Sequence, residues 1–109
     1  MISDDDIEKA LDYLRDSMET AAQAKAERVY MTEYRKVKKA QLMGRSGSGV
    51  SAQQERFAYA NEEYKEFLLG LKEAIYQDAK HDFLRDAATA KIEAWRTQQS
   101  TWRSMDKIR

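Results

Sequence analysis

KAERVYMTEYRKVKKAQLMGRSGSG, residues 25–49, carries both halves of the fold decision. Its first part, up to Met43, has no glycine or proline. Val29 or Tyr30, Tyr34, Val37 and then Ala40 or Gln41 recur there at three- and four-residue steps, the spacing of one helical face. Its last part puts Gly44, Gly47 and Gly49 within six residues, where a helix cannot continue. Gly44 is placed to end the helix as its C′ residue, and residues 44–50 read as a short flexible connector. A phosphate-binding loop is excluded for GRSGSG: no strand precedes it, and no Gly-Lys-Ser/Thr follows.

Towards the N-terminus the helical pattern continues. Ser3 is a good N-cap with Asp6 three residues on, and Asp4–Asp6 sit where the helix dipole favours negative charge. Ile7, Leu11, Leu14 and Met18 form one apolar face, after which the spacing loosens through Ala21, Ala22, Ala24 and Ala26. This pattern allows either one helix from Asp4 to Met43 or two pieces meeting near Met18–Ala22. Beyond the loop, Ser51 with Gln54 reads as a capping box for a short helix through Phe57 and Ala60. Asn61 before Glu62 and Glu63 reads as a second N-cap, where the chain can bend. From Tyr64 an apolar stripe runs through Phe67/Leu68, Leu71, Ala74/Ile75, Phe83/Leu84, Ile92 and Trp95 to Trp102, a helix of roughly 40 residues.

The expected fold is therefore all-α: a long antiparallel helical hairpin, optionally with a short extra helix after the Gly/Ser loop. It forms a single helical domain over residues 1–109. A two-arm hairpin cannot bury its whole apolar stripe, so the chain is expected to oligomerise. Leu11, Leu14, Met18, Trp95 and Trp102 are the candidate interface; the two tryptophans lie seven residues apart and share a face.

Composition sets the remaining bounds. The chain has no cysteine, which excludes disulfides and thiolate chemistry and points to a reducing compartment. The start, MISDDDIEKA, is acidic where a signal peptide would be basic and then apolar, and no apolar run approaches a membrane span. A soluble cytoplasmic protein is expected. With one histidine there is no triad or acid–base pair to assemble, so neither enzymatic activity nor a cofactor is expected. Asp78, His81 and Asp82 share a helical turn but read as exposed polar residues rather than as a metal site.

The net charge of zero conceals segregation. Residues 1–24 hold seven acids and two bases; residues 25–45 hold seven bases and two acids. The segment 91–109 is again basic, with five bases and two acids. On a helix, Arg28, Arg35, Lys38 or Lys39 and Arg45 can form one row ending at the loop, which is what a polyphosphate backbone requires. Arg28, Arg35, Lys36, Lys38, Lys39 and Arg45 are the candidate nucleic-acid contacts, with Tyr34 as a stacking residue. Tyr30, Tyr59 and Tyr64 also interleave the patch. The competing reading is a solvated face neutralised by acids of the returning helix or of another subunit.

One resemblance rests on a set of these pieces. Lys39-Ala40-Gln41-Leu42 at the end of a basic helix is followed by the Gly/Ser loop and the Ser51–Ala60 helix. A long helix with Tyr64 and Phe83 comes next, then a basic end around Ile92 and Arg96. Over about residues 25–105 this resembles small phage-encoded helical proteins of recombination and replication gene clusters and, more distantly, the UvsY-type recombination mediators. At Gln41 the chain departs from that pattern, which has a basic residue there. The resemblance implies a homo-oligomer in the cytoplasm of a phage-infected or lysogenic bacterial host. Such a protein binds single-stranded DNA and helps a RecA-like recombinase replace single-strand binding protein. Lys38 and Lys39 would be the DNA contacts. The alternative is a helical protein–protein interaction module, regulatory, structural or inhibitory to a host enzyme, that binds no nucleic acid.

Overall fold

The computed structural model describes residues 1–108. Among these residues the protein is all-helical, with α1 (Asp4–Asp16), α2 (Met18–Gly44), α3 (Ser51–Ala60) and α4 (Glu62–Ile108). The helices contribute to two compact units: residues 1–21 with the described residues from 80 onward, and residues 22–79.

In the first unit, α1 begins with the expected capping box. Ser3 Oγ accepts from Asp6 N at 3.1 Å, and Ser3 N donates to Asp6 Oδ2 at 2.9 Å. The Ser3 backbone N–H, and then its hydroxyl beside the carboxylate, favour the ionised form and lower the Asp6 pKa. Ile7 and Ala10 are buried on α1, and Ala88 is buried on α4. Gln98 clamps the start of the chain by accepting from Ile2 N at 3.4 Å and donating to Ile2 O at 3.0 Å. The Trp95 indole N–H donates to Asp4 Oδ1 at 3.3 Å. Partners of residues 2, 4, 14 and 17 lie at 98, 95, 85 and 85, so the two segments run antiparallel here.

The sequence left open one helix or two before the loop, and there are two. The break is a single residue, Ser17, whose backbone stays near helical values (φ −90°, ψ −3°). Backbone bonds run through it, with Ser17 N to Tyr13 O and Ala21 N to Ser17 O both at 2.9 Å. Arg85 supplies the reason for the break. Its Nη1 donates to the Leu14 carbonyl at 2.9 Å and to Ser17 Oγ at 2.8 Å, giving the end of α1 the partner its own helix does not.

In the second unit, contacts fall in descending order along α4 as they rise along α2. Arg28 meets Asp78, Tyr34 meets Phe67 and Arg45 meets Glu63. The best-buried cluster lies near the loop, where Leu42 and Ala58 are fully buried and Tyr64 nearly so, with Met43 packed against them. Leu71 and Ala74 extend the buried face of α4. Asp78 is buried as well, against its expected exposure, because Lys25 stands 3.2 Å from its Oδ1 and Arg28 donates to Oδ2. Two cations offset the desolvation that would otherwise keep a carboxylate at the surface.

Local chemistry at the loop corrects two expectations. Gly44 is the last residue of α2, and it is Gly47 that adopts the left-handed conformation, at φ +75°. Ser51 does not cap α3; Val50 is the N-cap and makes no side-chain cap bond. The loop residue Ser48, between two glycines, reaches the helix start instead. Its hydroxyl accepts from Val50 N at 3.0 Å, and its carbonyl accepts from Gln54 Nε2 at 2.7 Å. Asn61 behaves as expected, its Oδ1 accepting from Glu63 N at 2.9 Å at the start of α4.

Candidate nucleic-acid interface

The basic segment of α2 is divided by its partners rather than laid out as one row. Arg28 is committed to buried Asp78, and Arg45 pairs with Glu63 of α4. Lys39 Nζ lies 3.4 Å from Glu55 Oε1 and 4.8 Å from the centroid of the Tyr59 ring. The Tyr59 hydroxyl, and then Glu55, hold the Lys39 ammonium above the ordinary lysine pKa. Lys36 makes only a 3.5 Å exposed pair with Glu33 one turn away, which adds little stability. Arg35 and Lys38 make no ion pair among the described residues.

Arg35, Lys36 and Lys39 fall on one side of α2 by their spacing of one and three residues. With Tyr59 of α3 and Tyr64 of α4 they line an open cleft of about 400 Å³. Tyr64 is nearly buried and forms part of the core, while Tyr59 is half-exposed. The two rings pack edge-to-face at 5.4 Å and 74°. Three cations of one sign at a cleft, beside an accessible aromatic ring, suit an anionic ligand with a planar group attached.

Tyr34 has a different setting. Its ring stacks on Tyr30 at 5.7 Å and 25°, and tilts against Phe67 at 5.9 Å. It is therefore engaged by the chain's own aromatics, and the ring standing in the cationic cleft is Tyr59. The sequence placed Tyr59 near the patch but gave no reason to prefer it. The preference comes from α3 folding its C-terminal end back beside α2, which only the Leu42–Ala58–Tyr64 packing brings about.

The expected interface residues are also divided. Leu11, Met18 and Trp102 are exposed. Leu14 is partly buried, with its carbonyl held by Arg85, and Trp95 is partly buried with its N–H on Asp4. Asp78, His81 and Asp82 do not form a metal cage: among the described residues no group of three or more His, Cys, Asp or Glu side chains is placed to hold a metal ion. No described helix is long and apolar enough to cross a membrane.

Comparison with known proteins finds no matching family model, no matching curated protein and no matching solved structure.

Proposed function

We propose that this protein binds single-stranded DNA through the cleft of Arg35, Lys36, Lys39, Tyr59 and Tyr64, and that it acts without catalysis. In this reading it is a cytoplasmic, phage-encoded accessory of recombination or replication. It works as an oligomer of long antiparallel helical hairpins that loads a RecA-like recombinase onto DNA coated with single-strand binding protein. The observation that carries DNA binding is the cleft itself: three cations converge beside a half-exposed tyrosine. Phosphates are drawn to the cations by displacement of condensed counterions, and a base can stack on the ring. The recombination role rests on the resemblance of residues 25–105 to phage mediators. Oligomerisation is favoured because linked weak sites gain avidity without new contacts.

The test is the anisotropy of a labelled oligothymidine titrated with protein at several salt concentrations. Three neutralised phosphates predict a log–log salt slope of about −2 per protomer. Changing Arg35 and Lys36 together to alanine should bring it to about −0.7 with helicity unchanged. Absence of binding at low salt by a fully helical protein would overturn the reading.

A specific observation favours the alternative of a protein–protein module. Arg28, Lys39 and Arg45 already have carboxylate partners within the chain, so part of the patch is neutralised internally. That reading predicts no retention of the oligothymidine at any salt.

A further inference from the structure

The first unit has an apolar groove that its own residues do not fill. Ala10 and Tyr13 of α1 face Leu84, Ala87 and Ala88 of α4 across a space of about 250 Å³. Leu84 is nearly half-exposed and Ala87 is exposed, so the groove opens to solvent along a strip of small and apolar side chains. A floor of alanines between two antiparallel helices lets a third helix approach closely, because no long side chain stands in the way.

The charges beside the groove narrow the occupant. On the α4 side Lys91 stands at the rim, and Lys80 lies one turn before Leu84 on the same face. Both lysines are exposed, and neither makes an ion pair among the described residues. On the α1 side Asp5 lies one turn before the rim residue Lys9, to which it is bonded at 3.0 Å, and Asp16 lies one turn after Tyr13. Asp5 and Asp16 are well exposed, and their pairs with Lys9 and with Arg15, each at 3.0 Å, are exposed contacts within one helix that add little stability and can exchange partner. Both pairs, 5 and 16, 80 and 91, are eleven residues apart, which is about 16 Å along a helix. The acidic pair and the basic pair thus have the same pitch, on the two helices that border one groove. Two acids on one bordering helix and two lysines at the same pitch on the other can meet reciprocally under two-fold rotation.

We propose that the occupant of this groove is a second copy of the chain, whose α1 lies along α4 of the first. Asp5 and Asp16 of each copy then meet Lys80 and Lys91 of the other, and Leu84 and Ala87 become buried. This rests on the oligomer proposed above and assigns it a specific contact surface. The apolar floor supplies the attraction, and the matched charges fix the partner and the register.

Light scattering and sedimentation give the mass of the full chain, with circular dichroism as the control for folding. The wild-type protein should be dimeric or larger. Lys80→Glu with Lys91→Glu should weaken self-association by at least about tenfold, because like charges then face each other across the rim. Adding Asp5→Lys and Asp16→Lys should restore the mass. Ala87→Arg, which fills the groove from an exposed position, should also give monomers. A wild-type assembly whose mass is unchanged by the lysine reversals and by Ala87→Arg overturns this interface and leaves oligomerisation standing. Failure of the fourfold variant to reassociate overturns the charge pairing, and a monomeric wild type overturns both the interface and the oligomer. Oligothymidine binding, read separately by anisotropy, reports on the DNA reading.

Discussion

Asp78 is a charged residue buried inside its unit. It is buried beside two cations, and the Arg28 hydrogen bond, followed by that of Lys25, holds its carboxyl below the usual aspartate range. A carboxylate with a depressed folded pKa contributes stability that is complete above its unfolded value, near pH 4, and is lost as pH falls through the lower folded value. Asp78→Asn should therefore lower the melting temperature at pH 7, since two cations lose their counter-charge. The loss should shrink as pH is taken below about 4, as the unfolded carboxyl and then, at still lower pH, the native one take up a proton. Melting curves of both proteins between pH 2 and 7 check this, and a constant difference throughout would refute it. The sequence showed Asp78 only as an exposed polar residue sharing a turn with His81 and Asp82. Its partners lie 50 and 53 positions away, so burial followed from long-range pairing rather than from local pattern.

Among the elements, α4 is the one whose sequence invites improvement. Gly70 lies inside this 47-residue helix, where glycine costs roughly 1 kcal/mol relative to alanine. A Cβ there would stand 3.2 Å from Met31 Cε, a close approach to the far end of a flexible side chain. Because Met31 can swing away, the propensity term wins. Gly70→Ala should raise stability by about 0.5–1 kcal/mol, measured by urea unfolding. A loss of stability would mean that Met31 is held more tightly than its chemistry suggests. Helix existence was legible throughout, because the chain has no proline and apolar residues recur at helical steps. Helix ends were legible where a side chain caps its own helix, at Ser3 and Asn61. The start of α3 was misread, because the loop residue Ser48 supplied the partner, and the end of α1 was left open, because its partner is the distant Arg85.

The molecule buries few large side chains. Its core residues include four alanines, and among the described residues Leu42 is the only large side chain that is fully buried. Meanwhile Leu11, Met18, Phe83 and Leu84 in the first unit, and Tyr30, Val37, Leu69 and Tyr76 in the second, remain exposed. Burying apolar surface is the main favourable term in folding, so a chain with this distribution gains stability when another copy covers it. The melting temperature should rise with protein concentration over a hundredfold range, and a constant value would argue for a self-sufficient monomer. The sequence alone determined the helical class, the position of the loop and the segregation of charge, because each depends on residue type and short-range spacing. The tertiary structure decided which cations of α2 pair with carboxylates and which tyrosine stands beside the cationic cleft. It also decided which apolar residues stay uncovered. Those outcomes depend on pairings such as Arg28 with Asp78 and on the return of α3 against Leu42, and residues that far apart in sequence meet only when the chain folds.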